Sequence, residues 1–238
     1  MIRIECSMCG LQMNKIMRDF LFSLLPLLVA LFFLSCQQSY PTKEADTMQT
    51  HQQGDTLTRT KQQGFKEISH PTPNYSDTSI NEVKGIILHH TAEPTAERSL
   101  EVLCSNIRRV GTHVVIDTDG TRYIMAEPWK VTYHAGPSIL HGREGCNYFT
   151  IGIEFQGNTL EMPLTMNQIR SGIEYILPLM QKYNIPLSSI VTHEMVRQAY
   201  KAKYPEKKVS GKVDITQEEY WRFMRYLKEE LQVPTNTK

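Results

Sequence analysis

The sequence has almost no net charge. Its 238 residues contain 26 Lys and Arg against 25 Asp and Glu, which gives a formal net charge of +1. Such a balance provides no overall attraction to nucleic acid or to an anionic membrane surface. Apolar residues make up 40% and charged residues 21% of the chain, as in ordinary globular proteins. We therefore expect a monomer with one sizeable folded domain and no nucleic-acid partner.

The first forty residues lack an apolar run long enough for a typical membrane-spanning helix. The run Phe20–Leu34 falls short of the ~20 residues that such a helix needs. It follows Lys15 and Arg18, a pattern typical of a signal peptide. It ends in Leu-Ser-Cys36, which resembles a bacterial lipobox. We predict a signal peptide with lipobox over residues 1–36 and a lipid-anchored, periplasm-facing protein of the cell envelope. An ordinary cleaved signal or a short membrane anchor is the alternative.

Aliphatic residues are scarce after the apolar run. Residues 37–79 are rich in Gln, Thr, Ser, Asp, Lys and Pro, a composition that cannot bury a core and indicates a flexible linker. The folded domain is predicted over residues 80–233. Met13, followed by Asn-Lys, is the more natural start, so we interpret the residues before 13 as an over-long beginning.

Cysteines are few, and only two lie in the predicted domain. Cys6 and Cys9 form a C-x-x-C without a second pair, which disfavours a zinc ribbon. Cys36 belongs to the lipobox. Cys104 and Cys146 form either one disulfide in an oxidising periplasm or two buried thiols, because spacing alone does not show proximity.

Hydrophobic periodicity predicts an α/β domain. Strands are expected at 85–90, 113–117, 122–126, 150–155 and 189–192, with a tight turn at Asp119-Gly120. Helices are expected over 95–109, with Ile107 on the buried face, and after Pro163, with a possible kink at Pro178. A capping-box pattern at Thr216 and Glu219 precedes a last helix that buries Tyr220, Phe223, Leu227 and Leu231. This order predicts a mixed central β-sheet flanked by helices.

Two histidines end the first apolar strand. Alternate side chains of a strand face opposite ways, so His89 shares a face with Ile87, and His90 shares the other with Leu88. Only one of the two imidazoles is expected in any one site. A hydrogen-bonded structural role is the alternative for each, and equally for His193 after its own short strand.

A carboxylate interrupts the strand 150–155, which reads TIGIEF. Burying Glu154 there is costly unless it is paired or lies near a metal. Gly152 shares its face and is expected to leave room for a ligand. A functional role for Glu154 is therefore favoured.

Lys212 and Asp214 stand two residues apart. In an extended segment they would share one side, although neighbouring lysines make a solvated surface pair the alternative. His193-Glu194 does not begin the zincin motif H-E-x-x-H, because the i+4 residue is Arg197.

The order of these pieces resembles the zinc-dependent N-acetylmuramoyl-L-alanine amidases. The matching stretches are IILHHT (86–91), HVVIDTDG (113–120), YHAG (133–136), GREGCNYFTIGIEFQG (142–157) and Thr192-His193. The fourth stretch is especially similar to the anhydro-muropeptide branch of the family. The family reaches its Lys-x-Asp sooner after the second His, whereas residues 194–211 intervene here.

The resemblance implies a zinc site and an activity. Zn²⁺ would be held by His89, His193 and Asp214, with Glu154 as the catalytic carboxylate and Lys212 stabilising the oxyanion. His134, Arg143 and Asn147 would lie in the substrate loop, where Arg143 either binds a peptide carboxylate or is a solvated surface residue. The implied reaction is hydrolysis of the amide between N-acetylmuramic acid and L-alanine in peptidoglycan or muropeptides. The alternative is a non-catalytic peptidoglycan-binding lipoprotein.

Replacing Cys36 with Ser should release the protein from membranes, because the lipid would have no attachment point. Membrane fractionation of cells that express the full chain measures this. A Cys104→Ser variant is the matched control and should remain in the membrane fraction. Unchanged membrane association of the Cys36 variant would exclude lipidation as the anchor.

Overall fold

The computed structural model describes residues 64–209, 211 and 214–232, which belong to the compact unit Arg59–Lys238. The signal peptide and lipobox predicted for residues 1–36 lie outside this range, as do most of the predicted linker and Lys212. None of the described helices combines the length and apolar content needed to cross a bilayer.

A six-stranded mixed sheet forms the centre of the fold and confirms the predicted architecture. The six strands are β1 (Glu67–Ser69), β3 (Gly85–His90), β4 (Val114–Ile116), β5 (Arg122–Ile124), β9 (Thr150–Phe155) and β10 (Ile190–Thr192). Their order across the sheet is β1-β5-β4-β9-β3-β10. Strand β3 runs parallel to β9 and β10, and β4 is parallel to β9 but antiparallel to β5, as the predicted hairpin requires.

Two small antiparallel ribbons, four α-helices and two short 3₁₀ helices (Cys146–Tyr148 and Leu187–Ser189) complete the described fold. The ribbons pair β2 (Tyr75–Ser79) with β6 (Lys130–Thr132) and β7 (Ile139–Leu140) with β8 (Arg143–Glu144). The helices are α1 (Ala96–Leu103), α2 (Met166–Tyr183), α3 (His193–Lys203) and α4 (Gln217–Gln232). Pro178 lies inside α2, which continues past it to Tyr183.

Strands β3 and β9 are buried along their whole length, because helices and loops cover both faces of the sheet. On one face, Ile86, Leu88 and Ile153 belong to the main core with side chains of α2 and α4. On the other face, Ile87 belongs to a smaller cluster. The alternation predicted for GIILHH is confirmed, and the face of Ile87 is the one that carries His89.

The predicted start of the folded domain at residue 80 is too late. Strand β1 adds an edge to the central sheet by pairing with β5, and β2 pairs with β6. Both strands are short and largely exposed, with burial limited to partial cover of single residues. Edge strands of this kind carry little apolar patterning, so composition made residues 64–79 resemble a linker.

Two side chains that were predicted to be buried on helices, Ile107 and Leu231, are exposed instead. Helix α1 ends at Leu103, and Ile107 is 93% exposed. The side chains of Thr72 and Asn74 donate to the Leu103 carbonyl, which satisfies an end group of the helix. In α4, Leu231 is 44% exposed, and Met224 is buried instead.

The two cysteines of the domain are free thiols rather than a disulfide. Cys146 is fully buried beside β9, whereas Cys104 follows the end of α1 and is partly exposed. Burial raises the pKa of both thiols, so each stays protonated at neutral pH.

Leu100→Ala should lower the free energy of unfolding by about 2–5 kcal/mol, because Leu100 is buried against the sheet. Ile107→Ala should change it by no more than about 0.5 kcal/mol, because the side chain is exposed. Chemical denaturation of the two variants beside the wild type measures both values. A large loss of unfolding free energy in Ile107→Ala would instead support the longer helix predicted over 95–109.

Candidate metal centre

Three side chains meet where parallel strands end. His89 is the penultimate residue of β3, and His193 directly follows β10 as the first residue of α3. Since β3 and β10 pair in parallel, their carboxyl ends lie at the same edge of the sheet. Asp214, just before α4, completes the group, and one ligand atom from each residue lies within 4.8 Å of the others. The predicted convergence is confirmed, and these residues can hold a metal ion.

Helix α3 was not foreseen in the sequence. Residues 194–211 were expected only to separate His193 from Lys212, but Thr192 caps a helix there by accepting from the Met195 N–H. The cap fixes the turn at which the strand becomes a helix, and His193 projects from that turn. The Thr followed by a mostly helix-favouring segment was the available signal.

Both imidazoles present Nδ1 toward Asp214. The Nδ1 of His193 contacts Asp214 Oδ2 directly, and the Nδ1 of His89 lies 3.9 Å from the same oxygen. The Nε2–H of His193 donates to the Ala135 carbonyl at 3.1 Å, so Nδ1 is the ring nitrogen that faces the carboxylate. Imidazole nitrogens and a carboxylate oxygen that face one another can bind one cation together. The donor set therefore fits a metal ion.

His134 supports His89 from behind. Its Nδ1 lies 3.2 Å from His89 Nε2, and its Nε2 lies 3.4 Å from the Thr150 carbonyl oxygen. Burial, with smaller contributions from His113 and His193, holds the pKa of His134 well below its usual range. A neutral ring that donates to Thr150 accepts a hydrogen bond from the Nε2–H of His89 on its Nδ1, so Nδ1 of His89 is the nitrogen that faces Asp214.

The space above Gly152 is filled by a protein side chain, not left for a ligand as expected. A Cβ at Gly152 would lie 2.6 Å from Cγ of His134. The missing side chain therefore lets the imidazole pack against β9 and reach His89.

His113 supports this arrangement and was assigned no role from the sequence. Its Nδ1 accepts from the Gly152 N–H at 2.9 Å, and its Nε2–H donates to the Lys130 carbonyl at 2.9 Å. Burial lowers the pKa of His113 to about 4. The ring thus stays neutral and joins β9 to the first residue of β6, the strand that precedes the loop with His134.

Glu154 lies directly opposite His89 in the register of β3 and β9. Paired residues of neighbouring strands share a face, so the carboxylate is on the metal side of the sheet. Glu154 is only 8% exposed and lines the same cleft as His89, His193 and Asp214. Glu154 thus lies in the same cleft as the three residues that can hold a metal.

His90 faces away from the centre, as predicted. The Thr159 N–H donates to His90 Nδ1 at 3.1 Å, and the Thr159 hydroxyl lies 2.9 Å from the same nitrogen. The Thr159 hydroxyl in turn accepts from the Thr216 N–H at 2.9 Å. His90 is therefore a structural imidazole.

Arg143 and Asn147 lie away from the metal centre. Arg143 is exposed, with its guanidinium carbon 4.2 Å from the centre of the Phe149 ring. The Asn147 Oδ1 accepts from the backbone N–H groups of His134 and Ala135, at 3.2 and 2.7 Å. Asn147 thus shapes the loop that presents His134. Of the three residues predicted to bind substrate, the structure brings only His134 to the cleft.

The cleft beside the metal centre has a volume of about 340 Å³. One wall comes from α1 and the following loop, a region that sequence patterns did not connect with the site. The wall residues include Val102, Leu103, Arg108, Val110 and Gly111, with Tyr133 next to them. The cleft therefore combines an apolar wall with a polar floor.

The buried mixed sheet carries two histidines, an aspartate and a glutamate at one edge, and such residues are those from which metal-dependent hydrolases build their active sites. Residues 79–209, more than half of the chain, match the family described as N-acetylmuramoyl-L-alanine amidase. The chain belongs to this family.

Individual relatives agree with this assignment. The chain is 39% identical over 88 residues to the 1,6-anhydro-N-acetylmuramyl-L-alanine amidase AmpD of Haemophilus influenzae. That match covers 36% of this chain and 46% of AmpD, so it spans less than half of the relative's length. Solved structures of the PlyG catalytic domain and of PlyL are similar in fold, each with a TM-score of 0.51. PlyG is 19% identical over 73% of this chain and 99% of its own, and PlyL is 18% identical over 69% and 97%.

His134→Ala should weaken metal affinity by about 10- to 100-fold, because it removes the acceptor that orients His89. Titration of the purified full chain against a chelator of known affinity measures this. His90→Ala deletes another buried imidazole, on the opposite face, and should weaken metal affinity far less, because His90 reaches the segment of Asp214 only through Thr159 and Thr216. Equal losses in the two variants would mean that burial, not orientation, is responsible.

Proposed function

We propose that this protein is a zinc-dependent hydrolase that cleaves the amide between N-acetylmuramic acid and L-alanine. The observation that carries the proposal is the meeting of His89, His193 and Asp214 with Glu154 at one edge of the sheet. Membership of the N-acetylmuramoyl-L-alanine amidase family gives the bond that is cut. The substrate is peptidoglycan or its muropeptide fragments.

Zinc suits the donor set better than a hard cation. Two imidazole nitrogens and one carboxylate are a common protein ligand set for catalytic Zn²⁺, whereas Mg²⁺ and Ca²⁺ prefer oxygen. The hydrogen bonds of His89 and His193 to His134 and Ala135 supply the supporting contacts typical of zinc ligands. When bound, Zn²⁺ polarises a carbonyl and lowers the pKa of water.

Glu154 is proposed as the general base and acid. Its carboxylate takes a proton from the attacking water and passes it to the departing amine nitrogen. The position of Glu154 opposite His89, on a strand buried on both sides, supports this role. A rigid strand holds the carboxylate in one place, which proton transfer requires. Stabilisation of the oxyanion by Lys212 stays a prediction.

The cleft accommodates part of a sugar–peptide conjugate. Its apolar wall of Val102, Leu103 and Val110 faces the ligand group and can exclude water from the reacting amide. The similarity to a relative named for a 1,6-anhydro-N-acetylmuramyl substrate favours released muropeptides.

A non-catalytic peptidoglycan-binding protein is not favoured, because binding alone needs neither a complete donor set nor a buried carboxylate beside it.

We also propose that the protein acts as a monomer at the cell envelope, facing the periplasm and anchored through a lipid on Cys36.

Glu154→Gln should reduce turnover by about 10²- to 10⁴-fold while zinc content stays unchanged, because the amide keeps the shape of the carboxylate but not its basicity. Mass spectrometry of muropeptides incubated with the full chain measures cleavage, and metal analysis measures zinc. His89→Ala should lose both metal and activity.

Glu93→Gln is the matched control, since Glu93 is an acid of the same cleft that does not belong to the group that can hold a metal, and it should retain near wild-type turnover. A chelator should abolish wild-type cleavage, and added zinc should restore it. Wild-type turnover in Glu154→Gln would exclude the proposed mechanism, and cleavage that is indifferent to chelator would exclude the metal.

A further inference from the structure

Lysines are concentrated at the end of helix α3, far along the helix from His193. Lys201, Lys203, Lys207 and Lys208 fall within the segment 201–208, and all four are exposed. The acid of this segment is Glu206. The chain as a whole is nearly neutral, with a formal net charge of +1, so this part of the surface differs in charge from the molecule that carries it.

The helix itself explains only part of this charge. Lys201 and Lys203 lie in the last turn of α3, where a cation is favourable beside the partial negative charge of the helix end. Lys207 and Lys208 follow Tyr204, the residue at which the helix ends. Because the effect of the helix dipole fades within one turn, it gives no reason for a positive charge at the later two lysines.

The β7–β8 ribbon packs beside this helix end and extends the same surface. Glu144 accepts from Lys203 Nζ and from the Tyr204 hydroxyl, each at 2.6 Å, and these bonds fix the ribbon to the helix. The neighbouring Arg143 is exposed, and Tyr148 is 59% exposed. The ribbon and the loop after it thus add a cation and an aromatic ring to the lysines.

Two tyrosine rings lie between the lysines. The rings of Tyr200 and Tyr204 are 4.9 Å apart, and Lys207 Nζ lies 4.6 Å from the centre of the Tyr204 ring. In the part of the chain that the structure describes, no carboxylate forms an ion pair with Lys201, Lys207 or Lys208. These three ammonium groups are therefore available to an anionic partner outside the chain.

We propose that residues 200–208 and 143–148 form a basic surface that binds the anionic headgroups of a phospholipid bilayer. Clustered lysines are attracted to anionic headgroups. Tyrosine, with an apolar ring and a polar tip, suits the boundary between headgroups and acyl chains. The proposal rests on the proposed location at the cell envelope and does not depend on amide cleavage.

The predicted anchor allows this surface to reach a bilayer. Helix α3 follows β10 at one edge of the central sheet, whereas β1, the strand nearest the predicted linker, is at the other edge. Strands of a sheet are ~4.8 Å apart, so the six strands span roughly 24 Å. The chain between Cys36 and Gly64 can extend to about 90 Å at most. A lipid on Cys36 therefore does not keep the basic surface away from the membrane.

The test measures partition of the full chain into vesicles of phosphatidylcholine alone and of phosphatidylcholine mixed with phosphatidylglycerol. Every protein carries Cys36→Ser, so that no attached lipid contributes, and the apolar run 20–34 is common to all variants. The readout is the ratio of the two partition coefficients. Changing Lys201, Lys207 and Lys208 together to Gln should lower this ratio about 10- to 100-fold, because each lysine loses its attraction to the headgroups.

The matched control changes Lys66, Lys84 and Lys228 together to Gln. These lysines are exposed elsewhere on the domain, and their loss removes the same charge, so the ratio should stay near wild type. High salt should bring the ratios of all three proteins close to one, because it screens exposed charges. Both triple variants should unfold at the wild-type temperature, since their altered side chains are exposed.

An equal fall of the ratio in the two triple variants would show that net charge alone matters and would overturn the proposal. So would a wild-type ratio near one at low salt. The proposal would also fail if the first variant lost binding to soluble polyphosphate but kept wild-type binding to vesicles, because the partner would then be an anionic polymer. Absence of amide cleavage would refute the proposed function and leave the vesicle result standing.

Discussion

Three neighbouring strands, β10, β3 and β9, run in parallel and end at the same edge of the sheet. The register of β3 and β9 sets His89 beside Glu154, and the pairing of β3 with β10 brings the start of α3 to the same edge. A slip of one residue would turn His89 and Glu154 to opposite faces. The large apolar core under Leu88 and Ile153 resists such a slip, so core packing and site geometry depend on the same pairing.

The polar groups of the site are costly to bury, and the structure offsets this cost with hydrogen bonds to the imidazole rings. Backbone groups at Lys130 and Gly152 bond to His113, the Ala135 carbonyl bonds to His193, and His134 bonds to the Thr150 carbonyl and to His89. Burial lowers the pKa of His113 and His134, so each of these two rings can donate from one nitrogen and accept at the other. The Nδ1 atoms of His89 and His193 are the nitrogens that face Asp214.

Much of this arrangement could be predicted from the sequence, because the side chains of a strand alternate between its two faces. Alternation in a strand assigned His89 and His90 to opposite faces, and an acid in an apolar strand marked Glu154. The resemblance to a family supplied His193 and Asp214. Such patterns do not predict contacts between segments that are far apart in the sequence. Nothing local in Asn74 indicates that its amide meets the end of α1, and Arg143 gives no sign that it would stack on Phe149. Strands β1 and β2 were taken for linker because an exposed edge strand has no apolar period to detect.

His90, the neighbour of His89 in β3, provides a connection between His89 and Asp214, two residues that are far apart in the sequence. His90 reaches Thr159 on the far side of the sheet, and Thr159 accepts from the backbone of Thr216, two residues beyond Asp214. Asp214 is far along the chain from His89, but these hydrogen bonds connect the segment after Asp214 to His90, the residue next to His89. Part of the entropy of closing a loop of more than a hundred residues is then lost on folding, before any ion arrives. Metal affinity can for this reason depend on a hydrogen bond on the face of the sheet that the ion never touches.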